Sequence, residues 1–166
     1  MTDLAHTSVP GWALPGPAGA AEPAETAGDV VAELSGVRLA GPADDVATRL
    51  VNALAHAHVG VRLTLTGPAG GCLTVRAAAL RAGLEDDELT VTATGPGVID
   101  LYCSHCRETS RVEAGIADVV PCPVCDRSLL VYHHVSRRRG AYLGFQVDAE
   151  TLPPAAAQAP CQEVAP

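Results

Sequence analysis

Two short stretches decide the fold of the second half of the chain: Cys103-Ser104-His105-Cys106 and Cys122-Pro123-Val124-Cys125. Together they form the pattern C-x2-C-x15-C-x2-C, which is typical of a metal site. Each C-x2-C segment turns tightly enough for both sulfurs to face one point, and two such turns supply the four thiolates of a tetrahedral site. The spacing therefore predicts one metal ion bound by Cys103, Cys106, Cys122 and Cys125.

The same cysteines leave two alternatives open. Disulfide pairing requires an oxidising compartment, and no secretion signal is visible in the sequence; inert buried cysteines are the other alternative. Four thiolates suit either Zn²⁺ or a single iron ion. Zinc is favoured, because rubredoxin-type iron sites usually carry Gly after the second cysteine of each pair, where Arg107 and Asp126 stand here. We expect Cys72 and Cys161 to lie on a helix and in the tail.

Short strands are predicted around the cysteine pairs. Apolar and β-branched residues mark segments 99–103, 107–112, 128–133 and 142–147, and the cysteines fall at the turns between them. This is the plan of a zinc ribbon, in which the metal replaces a hydrophobic core that is too small. Residues 98–152 are therefore predicted to form an all-β, four-cysteine domain.

The first half has a different pattern. Strand-like segments at 30–39, 61–66 and 88–94 alternate with helical patterns at 43–56 and 73–80. This order predicts a small parallel three-stranded α/β layer over residues 29–97, and an α+β chain overall. The glycines of Gly67-Pro68-Ala69-Gly70-Gly71 follow a strand and open a helix as in a phosphate-binding turn, yet neither G-x-G-x-x-G nor a P-loop lysine is present.

Both ends of the chain are rich in Ala and Pro. Residues 1–28 and 153–166 are predicted to be a disordered leader and a disordered tail, with a short docking segment around Trp12, from Val9 to Leu14, as the alternative for part of the leader. No apolar run approaches the roughly 20 residues that cross a bilayer, and the N-terminus has no basic segment followed by an apolar one. We therefore expect a cytoplasmic protein.

The net charge is −8, which disfavours general nucleic-acid binding, because phosphate affinity depends on Lys and Arg. One local basic patch, Arg137-Arg138-Arg139, is either a solvated loop that offsets the thiolate charge or a docking site for an acidic partner. Its surroundings are rich in the residue types that dominate interfaces. The partner-binding residues predicted here are His133, His134, Arg137, Arg138, Arg139, Tyr142 and Phe145. On a strand the two histidines project to opposite faces, so one packing and one surface histidine is the alternative for that pair.

Residues 100–150 resemble a known family. Leu101–Cys106, Cys122–Cys125 and the long segment Tyr132–Glu150 are similar to the C-terminal domain of the small A-type subunit of bacterial dimethylamine monooxygenase. The resemblance implies a multi-subunit enzyme that oxidatively N-demethylates a secondary amine with O2 and reduced pyridine nucleotide. It implies partners that carry the chemistry, a flavin and iron–sulfur reductase subunit and a haem oxygenase subunit. This chain would be the accessory subunit, with no active site of its own.

A weaker resemblance covers residues 61–95, which are similar to the last part of the nicotinamide-binding domain of ferredoxin-reductase-type flavoproteins. The flavin barrel and the Gly-rich nucleotide turn are missing, so a relic fold used for docking is expected. Two other classes compete with the accessory subunit. One is a stand-alone zinc-ribbon adaptor that binds nucleic acid or protein, and the other is a rubredoxin-like electron carrier with iron in the four-thiolate site.

Overall fold

The computed structural model describes residues 7–14, 28–147 and 149, which form an α+β fold with two sheets and two helices, as predicted. The helices are α1 (Ala43–Leu54) and α2 (Ala69–Arg81), and short 3-10 helices span Gly11–Ala13 and Asp86–Glu88. The strands are β1 (Val30–Leu34), β2 (Val37–Gly41), β3 (Leu63–Gly67), β4 (Leu89–Ala93), β5 (Ile99–Cys103), β6 (Thr109–Val112), β7 (Val119–Pro121), β8 (Ser128–Ser136) and β9 (Ala141–Gln146).

The first sheet is a correction to the predicted parallel three-stranded layer. It has four strands in the order β2-β1-β3-β4, and only β3 and β4 run parallel. The single strand predicted over 30–39 is a hairpin, because Ser35 and Gly36 both adopt positive φ, 47° and 92°. Two central residues with positive φ form the turn that matches the twist of a two-residue hairpin, and Leu34 pairs with Val37 across it.

Helix α2 lies between the two halves of the chain. It contacts α1, β3 and β4 on one side and β5 and β9 on the other. Cys72 and Val75 belong to the hydrophobic cluster of the first sheet, whereas Ala69 and Leu73 belong to that of the second sheet. A helix buried on several sides needs no polar face, which explains why its sequence shows little helical period and why it begins ahead of the predicted Leu73.

The second sheet has five strands in the order β6-β5-β9-β8-β7. It contains a strand at each of the four predicted positions and adds β7. Strands β5 and β9 pair in parallel. The sheet is therefore complete only when β9, its last strand along the chain, lies beside β5, its first. The pairing of β8 with β9 shifts register between Val131 and Val135, which marks an irregularity like a β-bulge next to the histidine pair.

A segment of the predicted disordered leader is packed instead. Thr7 Oγ1 donates a hydrogen bond to the carbonyl oxygen of His133 (2.6 Å), and Ser8 Oγ accepts one from the N–H of Val135 (2.8 Å). Val9 is buried, and Trp12 packs against both hydrophobic clusters. These polar and apolar contacts anchor residues 7–14, and the docking segment given as the alternative, from Val9 to Leu14, lies within them.

Several predictions lie outside the described residues, namely those for 1–6, 15–27 and the tail 153–166 with Cys161. The proposed domain boundary between residues 97 and 98 stays a prediction. Within the part of the chain that the structure describes, no helix combines the length and the apolar character needed to cross a membrane.

Candidate metal centre

The two cysteine pairs form turns with the same hydrogen bonds. In the first turn the N–H of Cys103 donates to the carbonyl of Glu108 (2.8 Å), and the N–H of Arg107 donates to the carbonyl of Cys103 (2.9 Å). The second turn repeats both bonds, at 2.8 Å and 2.9 Å, with Cys122, Arg127 and Asp126. Each turn therefore brings its two sulfurs to the same side through local backbone bonds, which is why the spacing alone predicts them.

Arg107 and Asp126, which follow the second cysteine of each pair, both adopt the left-handed conformation, with φ of 66° and 58°. This conformation costs a non-glycine residue about 1 kcal/mol or more. Two matching turns that both bear this cost indicate that another interaction stabilises them, and a metal ion bound by the enclosed sulfurs would supply one.

The four cysteine sulfurs form one compact cluster. All four Sγ atoms lie within 4.8 Å of one another. Cys103 Sγ is 3.8 Å from Cys125 Sγ, and Cys106 Sγ is 3.7 Å from Cys122 Sγ. A regular tetrahedron with metal–sulfur bonds of about 2.3 Å has edges of about 3.8 Å, so the spacing fits one ion with four thiolate ligands. Cys103 and Cys122 are buried, whereas Cys106 and Cys125 are partly exposed.

Backbone donors favour the thiolate form of some of these sulfurs. Burial raises the pKa of Cys122, but the N–H groups of Cys125 and Val124 and the neighbouring thiols outweigh it and bring the pKa down to about 7. The N–H of Glu108 lowers the pKa of Cys106, but burial and hydrogen bonds with the other three cysteines raise it to about 12. A metal ion that binds all four sulfurs would take the place of the thiol protons.

The histidine of the first cysteine turn and the histidines and aromatics of the predicted partner surface differ in exposure. His105 is exposed and outside the sulfur cluster. His133 is half-buried with its ring centroid 4.1 Å from that of Tyr132, and His134 is exposed. Phe145 is 42% exposed, so it is available to a partner. Tyr142 is only 4% exposed and packs in the core of the second sheet, so its assignment to a partner surface is wrong.

The three arginines are held by the protein itself. Arg137 forms an ion pair with Asp86, which also pairs with Arg76, a residue whose side chain is largely buried. Burial lowers the pKa of Arg76, and the positive charge of Arg137 lowers it further. Neither predicted reading of Arg137 included this contact, because Asp86 is remote in sequence and lies in an acidic run that looks like a solvated turn.

The other two arginines of the run are also anchored. The backbone carbonyl of Arg138 accepts a hydrogen bond from Arg81 at the end of α2. The guanidinium of Arg139 lies 4.8 Å above the ring of Tyr102, a cation–π contact. The β8–β9 turn is therefore fastened to the first half of the chain, although all three arginine side chains remain exposed.

In the glycine-rich segment of residues 67–71, two backbone N–H groups already donate hydrogen bonds within the protein. The N–H of Ala69 donates to the carbonyl of Gly95 (2.7 Å), and that of Gly70 donates to the carbonyl of Pro96 (3.0 Å). A phosphate would need these groups. A cleft of about 790 Å³ lies beside them and has one carboxylate, that of Glu113, in its wall. The resemblance of residues 61–95 to a nicotinamide-binding domain stays a prediction.

The chain is similar in sequence to one described family and to one curated protein. Residues 100–145 match a family described as "Dimethylamine monooxygenase subunit DmmA-like, C-terminal domain". The heme-dependent oxidative N-demethylase delta subunit of Ectopseudomonas mendocina (strain ymp) is 35% identical over 106 residues, which are 64% of this chain and 59% of that protein. No solved structure matches the chain. The resemblance to the A-type subunit is thus confirmed: this chain is similar to DmmA-like subunits, and the family match covers the cysteine cluster.

Proposed function

We propose that this chain is an accessory subunit of a heme-dependent, amine N-demethylating monooxygenase, in which it binds one structural zinc ion and docks the reductase and haem oxygenase subunits. The similarity to an N-demethylase delta subunit supports the type of complex. The observation that carries the accessory role is the geometry of Cys103, Cys106, Cys122 and Cys125.

Four protein sulfurs at tetrahedral spacing complete the coordination shell of a zinc ion. A catalytic zinc keeps a position open for water or substrate, whereas a structural zinc does not. The ion that these cysteines hold would therefore stabilise the second sheet and would not activate a reactant. Chemistry on the amine would then belong to the partner subunits.

The choice of zinc rests on the residues around the cluster. Arg107 and Asp126 occupy the left-handed positions where rubredoxin-type sites usually have glycine. Thiolate ligands also need a reducing compartment to stay free of disulfides, which fits a cytoplasmic complex. Iron in the same site would make the chain a one-electron carrier, and the partial exposure of Cys106 and Cys125 is the feature that favours this second candidate.

Metal analysis of the assembled complex tests the proposal. The chain is co-expressed with the reductase and haem oxygenase subunits, and the complex is purified without oxygen. We expect one zinc ion per copy of this chain and co-elution of all subunits. Iron in stoichiometric amount, with visible absorption assigned to a ferric tetrathiolate, would favour the electron carrier. Failure of the chain to associate with any of these subunits would contradict the accessory role.

The nucleic-acid adaptor is the less supported class. Arg137 pairs with Asp86 and Arg139 stacks on Tyr102, so two of the three arginines have partners within the protein. The net charge of −8 acts against phosphate binding over the rest of the surface. A salt titration with duplex DNA and single-stranded RNA checks this, and we expect no binding that weakens systematically with salt.

A further inference from the structure

One side of the second sheet presents an apolar row to solvent. Val119 of β7 pairs with Leu130 of β8, and Leu130 pairs with Phe145 of β9. Residues paired across neighbouring strands project to the same side of a sheet. Val119 and Phe145 are 54% and 42% exposed, and Leu130 is half-buried between them.

The row continues toward the arginine turn. Leu143 lies two residues before Phe145 on the same strand and is half-buried. Leu143 pairs with Tyr102 of β5, and the exposed Arg139 stacks on that tyrosine. We call the side chains of Val119, Leu130, Leu143 and Phe145 the outer face. The guanidinium of Arg139 gives it a positively charged rim.

We propose that the outer face docks a partner subunit of the N-demethylase complex, one that presents an apolar centre with a carboxylate rim. This inference rests on the proposed function and deepens it by naming the surface and the chemistry of the partner. An apolar centre with an aromatic residue and an arginine beside it has the composition of an interface core. The opposite side of the sheet is unavailable, because its residues, such as Leu101 and Val131, are buried.

The distribution of charge favours binding of a different protein to the outer face over binding of a second copy of this chain. Each copy of this chain carries a net charge of −8, so two copies repel each other over most of their surfaces. A partner with a carboxylate rim meets the basic rim and is repelled elsewhere, which confines it to this face. The chain's own segment 151–166 contains one charged residue, Glu163, and no aromatic residue to cover Phe145.

The test compares two exposed strand residues changed in the same way. Phe145→Asp alters the outer face, and Val37→Asp alters β2 in the other sheet, where Val37 is 51% exposed. Each variant is co-expressed with the reductase and haem oxygenase subunits, and affinity for the purified partner is measured by calorimetry. We expect Phe145→Asp to weaken association at least tenfold with unchanged metal content and melting temperature, and Val37→Asp to have no effect.

Two further variants test the outer face if Phe145→Asp does not fold, and test the contribution of the rim charge. If Phe145→Asp fails to fold, Val119→Asp at the edge of the sheet takes its place. Arg139→Ala is expected to reduce the dependence of association on salt, as for a rim charge. Normal association of the wild-type protein and of both outer-face variants would overturn this inference and leave the accessory role intact. Absence of association in the wild type would overturn the accessory role first.

Two other occupants of the outer face are also measured. Sedimentation of the chain alone detects a dimer, and a dimer that Phe145→Asp dissolves would assign the face to a second copy. Removal of residues 151–166 reveals whether the chain covers the face itself. Tighter partner binding after that removal, if it is still weakened by Phe145→Asp, would support the outer face as the partner surface; binding that Phe145→Asp no longer weakens would overturn it.

Discussion

Cys122 is the residue at which loss of the metal is tested. Cys122→Ser is expected to remove the bound ion, because serine is a poor zinc ligand and three sulfurs leave the shell open. Structural zinc contributes on the order of 10 kcal/mol in small finger peptides, so the melting temperature is expected to fall sharply. Metal content and thermal unfolding are the measurements.

Cys72→Ala is the matched control for that variant. Cys72 is buried in α2, and burial raises its pKa to about 12, so it is a neutral core thiol. We expect this variant to keep a full equivalent of metal even if it loses some stability. A full equivalent of metal in Cys122→Ser as well would show that the four-cysteine assignment is wrong.

Asp86 is the second residue with a measurable role. Asp86→Asn is expected to destabilise the protein by about 1–3 kcal/mol, because the largely buried Arg76 would lose its charged partner. The partial exposure of Asp86, 42%, keeps the expected loss toward the lower end. Asp87→Asn, at the exposed neighbour, is the control and is expected to leave the denaturation midpoint unchanged. Equal midpoints for both variants would show that the pair with Arg76 contributes little.

At the scale of elements, α2 depends on the absence of a side chain at one position. A Cβ added at Gly70 would lie 1.9 Å from the carbonyl oxygen of Val98, a backbone atom that cannot turn aside. Gly70→Ala is therefore expected to destabilise the protein by about 2 kcal/mol or more, although alanine favours helices by about 1 kcal/mol. Urea unfolding measures the change.

Gly115→Ala is the control for Gly70, since only Asp118 Oδ2 lies near its added Cβ, at 3.6 Å. We expect this variant to unfold at the wild-type urea concentration. Wild-type stability of Gly70→Ala would mean that α2 and the segment 95–98 separate at little cost, and that the two sheets are less tightly joined than the structure indicates.

Structural elements held by local hydrogen bonds could be predicted from the sequence, whereas contacts between distant segments could not. The cysteine turns were predicted because their bonds are local, within six residues of each other. The first hairpin was missed because apolar, strand-like segments lie on both sides of Ser35-Gly36, although that dipeptide was itself a turn signal. Contacts such as Arg137 with Asp86 depend on how α2 packs, and no periodicity in one segment reports them.

At the scale of the whole molecule, the halves are expected to unfold together. Helix α2 contributes to both hydrophobic clusters, and Trp12 packs against both. Removing the metal with a chelator is therefore expected to lower one common transition. Trp12 is the only tryptophan, so its fluorescence and the far-UV circular dichroism should change at the same temperature. Two separate transitions, with only the first sensitive to the chelator, would contradict this expectation.

The contacts of residues 7–14 bear on how the chain is made. Thr7 and Ser8 bond to β8 across 126 and 127 positions of sequence, and β5 pairs in parallel with β9, the last described strand. During synthesis Thr7 leaves the ribosome well before β8, the strand that receives it. During synthesis the N-terminal segment therefore waits without its binding site, and the metal ligands are complete only once Cys125 has emerged. Docking of residues 7–14 and completion of the cysteine cluster are therefore late steps in the assembly of the described fold.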